Sequence, residues 1–320
     1  VKRNFLQALL ALALFGVVFQ AVLIAPRAVK DNQAEIIKKN DLALVNHDGV
    51  DQSLQGMHMI ETQDGGKEWE LWSDQADRLK DKDLLKLTKV KTIFFARSGV
   101  TFTVNGDRGM VDVQTKNLRV EGNVVTRSSN GYTFKSQALD YDSGKRILFT
   151  NSLVEMLGPS DRKGLRLKLN GQGMKANMDQ GAMEILSNVR AEKTFANGKH
   201  VFIRSHRAQF SSTDRTAKFL DETILDMDTM RITGPEAQFE YDSKNNEIRT
   251  LTVNGGAKVS DTDKWATSDK LKVDFDKNKF TFSGRPRVVQ NNDELKGEEI
   301  VFLDGGKQVQ VHRARAKMDE

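Results

Sequence analysis

The sequence predicts an all-β protein, an elongated β-jelly-roll or β-solenoid-like body of repeated antiparallel strands, preceded by one N-terminal transmembrane helix. Three observations predict it. Segments such as VTFTV, LRVEGNVV, HVFIRS, RTLTV and KFTFSG alternate apolar with polar residues, the period of a strand with one buried face. The phrase ALDYDSGKRILFTNSLVEM at residues 138–156 returns as AQFEYDSKNNEIRTLTVNGGAKV at 237–259 and as LKVDFDKNKFTFSGRPRVV at 271–289, so one unit of strands is repeated. The stretch from Asn4 to Pro26 carries no charge, and about 20 residues rising about 1.5 Å each cross a hydrocarbon core of about 30 Å.

In chain order, residues 1–27 are the expected membrane anchor. Lys2 and Arg3 ahead of it favour a cytoplasmic N-terminus, while Arg27, Lys30, Lys38 and Lys39 beyond it weaken that asymmetry. A cleaved secretory signal is the rival reading. The apolar stretch exceeds a usual signal core, and AVLIAPRA offers a poor small-x-small cleavage site, so the uncleaved anchor is preferred. Residues 28–53 form a charged juxtamembrane linker, helical at first and giving way to loop near NHDGVDQS.

From residue 54 onward the period is that of strands, and the four prolines, at 26, 159, 235 and 286, fall near ends and turns where no ladder is broken. Strands enter their turns on an aromatic or aliphatic residue followed by Asp, as at Tyr141-Asp142, Met178-Asp179, Tyr241-Asp242, Phe275-Asp276 and Leu303-Asp304, with weaker echoes at Lys80-Asp81 and Val113-Gln114. Asp suits these places because its side chain caps its own turn, and a following Gly or Asn tolerates positive φ. A unit of two or three strands cannot bury its apolar face alone, so the units must stack. LGPSDRKG, residues 157–164, gathers Gly, Pro, Ser and charge. It predicts a boundary between β-domains at 54–157 and 164–320, or else a long turn within one body.

Composition excludes several functions. Lys+Arg 49 against Asp+Glu 44 leaves +5, but the charges are interspersed, with no basic run to track a phosphate backbone, so nucleic acid is not an expected partner. The absence of cysteine excludes a disulfide framework, thiolate zinc sites and cysteine nucleophiles, and fits an oxidising compartment. GQGMKA at Gly171–Ala176 fits the dinucleotide spacing G-x-G-x-x-A, but NMDQGAMEI follows it where a helix should open, so a β-turn is expected. His47, His58, His200, His206 and His312 form no H-E-x-x-H and are expected on the surface, with neither metal nor cofactor. The pairs Asp140/Asp142, Asp226/Asp228, Asp261/Asp263 and Asp274/Asp276 each share one strand face, as the carboxylates of a glycosidase or lyase do. They recur with the repeat, which assigns them to turns and the solvent face. No catalytic residue is expected, and the chain does not read as an enzyme.

The aromatics are more informative. There are 17 Phe against 3 Trp and 3 Tyr; a sugar-binding surface wants rings with a polar handle, whereas Phe suits a dry interior. Phe94, Phe102, Phe134, Phe149, Phe202, Phe219, Phe239, Phe280, Phe282 and Phe302 sit in strand-like segments. Core packing explains most of them. Two sheets about 10 Å apart can nevertheless part along one side and admit a hydrocarbon chain, which makes these ten the candidates for lining a lipid groove. At the C-terminal end, after the turn at Asp304-Gly305-Gly306, Val309 and Val311 fall on one face and Gln308, Gln310 and His312 on the other, and Arg313, Arg315 and Lys317 continue the alternation. Val309, Val311, Arg313 and Arg315 are therefore candidates for an exposed edge, either guarded by charge or offered to another strand.

The apolar N-terminal helix, then WELWSDQADRLKDKDLLKLTKVKTIFF and GYTFKSQALDYDSGKRILFTNSLVEM, resembles the LptC family of membrane-anchored periplasmic lipopolysaccharide-export proteins. The second half, with EAQFEYDSKNNEIRTLTVNGGAKV and WATSDKLKVDFDKNKFTFSGRPRVVQNNDELKGEEIVFL, resembles the related OstA/LptA-type bridge domain. The resemblance covers nearly all of the chain after residue 54. It implies a single-pass protein of the inner membrane with a periplasmic C-terminal body. Its groove would accept lipopolysaccharide from an inner-membrane ABC transporter and pass it to a periplasmic bridge or outer-membrane β-jelly-roll partner. The chain departs from the family in its appended second domain, which leaves open whether a separate soluble bridge is needed. The alternatives are an anchored β-helix enzyme modifying envelope polysaccharide and a structural envelope spacer.

Overall fold

A computed structural model of the chain describes residues 50–317 apart from 64, 80–81, 196–197, 292, 304–307 and 314, with backbone alone at 51 and 315–317. The expected anchor and all but the end of the linker lie outside the described residues, as do His47, Lys80-Asp81 and Asp304-Gly305-Gly306. Among the described residues no helix is long and apolar enough to cross a membrane.

Among the described residues the alternation of apolar and polar residues is realised as 21 strands of one sheet. They are β1 (Val50–Gln63), β2 (Gly66–Leu79), β3 (Leu84–Phe95), β4 (Thr101–Asp112), β5 (Leu118–Ser128), β6 (Thr133–Asp142) and β7 (Ile147–Leu157). Then come β8 (Lys168–Asn177), β9 (Ala182–Thr194), β10 (His200–Ser205), β11 (Arg207–Ser211), β12 (Thr216–Met227), β13 (Met230–Tyr241), β14 (Ile248–Ser260) and β15 (Lys264–Asp274). The last are β16 (Lys279–Ser283), β17 (Arg287–Gln290), β18 (Asp293–Lys296), β19 (Glu299–Leu303), β20 (Gln308–His312) and β21 (Arg315–Lys317). Each strand from β1 to β9 pairs antiparallel with the next. β10 and β11 both bridge β9 and β12. β16 and β17 lie end to end against β15, and the ladder runs on through β18 and β19 to β20 and β21.

The sheet folds over because nearly every strand is cornered near its middle. The register shifts between Asn105 and Arg108, Glu121 and Val124, Thr150 and Leu153, Leu220 and Thr223, Thr233 and Glu236, and Asn254 and Ala257. Such bulges bend a strand and increase its twist. Stacked in line, they fold the long sheet into two layers joined along a spine, with the apolar faces inward. The freed carbonyls at several corners are taken by hydroxyls in a recurring S-x-x phrase: Ser136 donates to the Ala138 carbonyl at 2.9 Å, Ser205 to Arg207 at 2.8 Å and Ser268 to Lys270 at 2.9 Å. GQGMKA is one of these corners inside β8 and not the β-turn expected from the sequence. Gly171 lies under Ile185, whose Cγ2 would stand 2.3 Å from an added Cβ, and Gly173 has φ +74°.

Because the strands alternate in direction, their turns form two rows, one along each open edge of the folded sheet. The first rim carries the turns 113–117, 143–146, 178–181, 212–215, 242–247 and 275–278; the second carries 96–100, 129–132, 158–167, 228–229 and 261–263. The Asp phrase caps the first rim. Asp142 accepts the Lys145 amide at 3.0 Å and Asp242 that of Lys244 at 2.8 Å. Two positions expected as caps are not: Asn177 and Asp274, two residues earlier, accept the amides, and Asp179 and Asp276 face Arg146 and Arg249 instead. Residues 158–167 connect β7 and β8, which pair directly with each other.

Candidate functional site: the apolar seam

The two layers enclose a continuous apolar interior, from Trp69, Leu71 and Phe94 at one end to Phe282 and Ile300 at the other. Of the ten candidate phenylalanines, Phe94, Phe134, Phe219, Phe239 and Phe282 are buried there, and Phe102, Phe280 and Phe302 pack against it partly exposed. Several form edge-to-face contacts favoured by the ring quadrupole: Phe210 on Phe219 at 6.3 Å between centroids, Phe219 on Phe239 at 5.8 Å, and Phe282 on Phe302 at 5.8 Å. The other two are corrections. Leu148 and Thr150 point inward on β7, so Phe149 between them faces outward. Val201 and Ile203 do the same on β10, leaving Phe202 on the outer face, 53% exposed. An aromatic in a strand is inward only if its parity matches, and the sequence reading did not test parity.

The seam between the rims changes character along its length. Near the N-terminal end the Tyr141 ring of the first rim packs on Phe94 at 4.6 Å. Beside it Glu68, only 2% exposed, accepts the Tyr141 hydroxyl and that of Ser143 at 3.3 Å, and Arg146 stands 3.3 Å away. Burial, and then the bond to Glu68, push the Tyr141 phenol well above its ordinary range, so it remains a donor. Tyr132 and Phe210 then face each other across the gap at 6.1 Å, and burial pushes the Tyr132 phenol up to about 12. Farther along, the 158–167 loop reaches the opposite rim, where Asn246 donates to the Ser160 carbonyl at 3.3 Å. Phe195 meets Phe275 at 5.0 Å.

Beyond that contact the seam opens. A cavity of about 230 Å³ enters the interior between Met227, Met230, Val259, Phe280, Phe282 and Phe302, with Lys199, Asp228, Asp261 and Lys264 around it. The groove continues to the last strands. Val309 stands opposite the inward-pointing Phe302 and Val311 opposite Ile300, and Val309 is 46% exposed because no strand covers it among the described residues. Arg313 is exposed and paired with Glu298 at 2.7 Å; Arg315 lies on β21, which bonds to β18.

The groups that suggested hydrolytic chemistry are otherwise engaged. Asp140 is held by Arg119 at 2.8 Å, Asp226 lies between Arg204 and Arg231, and Asp261 accepts Thr229 at 2.7 Å. Glu70 accepts His58, which stacks on Trp72 at 4.9 Å. No cluster of metal-ligating side chains occurs among the described residues. What the sequence reading missed is the closing group around Glu68, whose partners lie 73 and 75 residues away; no local pattern marks it.

Fold and seam together define a groove-bearing β-jelly roll whose interior is mainly apolar, with a few buried polar side chains such as Thr92, Thr126 and Thr150 among the apolar ones. Residues 10–194 match the family model for LptC-related lipopolysaccharide-assembly proteins, and residues 202–315 match that of the LptA/(LptD N-terminal domain) LPS transport protein. The chain belongs to the LptC-related lipopolysaccharide-assembly family, with an LptA-like segment following in the same polypeptide. Among solved structures it is similar to LptH, the LptA-homologous periplasmic component of the lipopolysaccharide transport device of Pseudomonas aeruginosa, at 13% identity and TM-score 0.34, over 38% of this chain and 95% of that one. No curated protein matches.

Proposed function

We propose that this chain accepts lipopolysaccharide from an inner-membrane ABC transporter into the seam and passes it across the periplasm towards the outer membrane, held by a single N-terminal helix whose start is cytoplasmic. The observation that carries this reading is the open cavity, apolar at its base and ringed by charge, leading into a continuous, mainly apolar interior, in a chain of a lipopolysaccharide-assembly family. Burying an acyl chain is worth about 0.8 kcal/mol per methylene, so such a groove retains a lipid that water rejects. Retention has no direction, and the driving energy comes from the transporter. The units 54–157 and 164–320 carry the lipid in succession, and the edge at β20 and β21, unpaired among the described residues, receives the next β-jelly roll by strand addition, extending the groove past Val309 and Val311. No step calls for a catalytic group or cofactor.

The test is a photo-crosslinking residue placed in cells at Phe282, which lines the cavity, and at Phe149, which faces outward. Lipopolysaccharide adducts are expected at 282 and not at 149. Adducts at neither position, in a folded protein, would replace the carrier with an envelope spacer.

A further inference from the structure

We propose that Arg97 and Arg146 form an anion-binding gate at the N-terminal seam, where the Asp179 carboxylate holds the place that a phosphate on an entering lipid's headgroup takes. The inference rests on the carrier reading above and adds to it the group that opens the seam.

The gate joins rims that no backbone ladder links among the described residues. Glu68 and Arg97 belong to the second rim, Tyr141, Ser143, Arg146 and Asp179 to the first. Arg146 spans them, standing 3.3 Å from Glu68, donating to the Phe95 carbonyl at 3.1 Å and reaching Asp179 Oδ1 at 2.8 Å. Arg97 approaches the same Asp179 oxygen from the opposite rim at 3.4 Å. Exposure rises along the chain of charges, from 2% at Glu68 through 12% at Arg146 and 37% at Asp179 to 63% at Arg97. One carboxylate thus holds two guanidinium groups together at the mouth, above a buried acid that cannot be left unpaired.

Farther along, the 158–167 loop crosses the seam through Asn246 to Ser160 and Arg162 to Glu247, while Tyr132 on Phe210 and Phe195 on Phe275 are ring contacts, which an acyl chain replaces like for like. It cannot replace the partners of Arg97 and Arg146. A phosphomonoester can, because guanidinium groups take its oxygens in paired, charge-assisted bonds and its charge exceeds that of a carboxylate. With acyl chains parting the seam, the headgroup phosphate arrives at the mouth where Asp179 sits. Asp179 is released, and its turn moves away from the Arg97 turn at the mouth, while Arg146 stays on Glu68 and the Phe95 carbonyl beneath.

The chain contains no cysteine, so Ser98→Cys and Gln180→Cys, on the turns carrying Arg97 and Asp179, place two nitroxide labels on opposite rims of the full chain. Their separation is measured by pulsed electron resonance with purified lipopolysaccharide, with phosphatase-treated lipopolysaccharide and with inorganic phosphate. The distance is expected to lengthen with the first alone. Asp179→Asn is expected to populate the longer distance without lipid and to bind lipopolysaccharide about threefold more tightly, the factor a partly exposed ion pair is worth.

Lengthening with treated and untreated lipid alike overturns the phosphate exchange and leaves the carrier intact. Lengthening with inorganic phosphate reassigns the arginines to a free anion and overturns the gate. No lengthening, with adducts still formed at position 282, places lipid entry elsewhere and also overturns it. Absence of adducts at 282 is instead a failure of the carrier reading itself.

Discussion

The Lys193 ammonium donates to Asp161 Oδ2 at 2.7 Å and to the Leu165 carbonyl at 2.8 Å, with both charged side chains almost wholly enclosed. Asp161 Oδ1 meanwhile accepts the Lys163 and Leu165 amides at 3.0 and 2.8 Å. A buried pair with its remaining bonds filled thus fixes the loop that crosses the seam to Asn246.

Asp161→Asn leaves Lys193 buried without a counter-charge and is expected to cost about 3 kcal/mol or more, read as a lower urea midpoint at neutral pH. Desolvation pushes the Asp161 carboxyl up, but Lys193 and the two amides outweigh it and hold it below the usual carboxylate range. A depressed folded pKa stabilises above the ordinary value of about 4 and is lost as pH falls through the folded one. The wild type should therefore lose stability below about pH 4, and Asp161→Asn should show a shallower loss over that window. An equal slope in both proteins would remove this pair from acid unfolding.

The two faces of the sheet should respond oppositely to the same truncation. Phe219 is fully buried between Phe210 and Phe239, and Phe219→Ala is expected to cost about 3–5 kcal/mol. Phe202→Ala, on the outer face, is expected to stay within about 0.5 kcal/mol. Denaturant titration of both variants measures the contrast, and comparable losses would contradict the assigned parity.

At the corner of β13 a Cβ on Gly234 would stand 2.4 Å from Val253 Cγ1 and 3.1 Å from the Gly256 carbonyl. Gly234→Ala is therefore expected to destabilise by about 1–3 kcal/mol through overpacking. Combining it with Val253→Ala removes the nearer clash, so the double variant should lose less than the sum of the two single ones. Additive losses would mean that the corner tolerates a side chain.

Asp140→Asn with Asp142→Asn removes the charge pairing to Arg119 and Lys145 but leaves an amide oxygen to accept the Lys145 turn amide, as Asn177 does in its own turn. Exposed pairs contribute about 0–1 kcal/mol, so the variant should fold and deliver lipopolysaccharide normally in a cell-based outer-membrane assay. Complete loss of delivery by the folded protein would revive the polysaccharide-modifying enzyme.

Deleting residues 307–320 uncovers β19 and β18 but leaves their other pairings in place. The truncated chain should remain folded and bound to its inner-membrane partner while outer-membrane delivery stops. Normal delivery would exclude this edge from the transport path.

The sequence by itself determined the strands, their antiparallel order and the capping of the first rim, because alternation and Asx turns act between residues a few positions apart. Asp142 and Asp242 cap where the phrase placed them, whereas Asn177 and Asp274 displaced Asp179 and Asp276 by two positions, a shift that composition cannot resolve. Parity needed the corners: with the register shifted near the middle of each strand, a residue's face depends on its distance from the bend, and Phe149 and Phe202 turned outward while Phe219 and Phe282 turned in. Only the tertiary structure decided how the seam closes. Glu68 finds Tyr141 73 residues away, and Arg97 and Arg146 meet on Asp179, because folding at the spine brings the two rows of turns together, and no periodicity in the chain encodes contacts made across that fold.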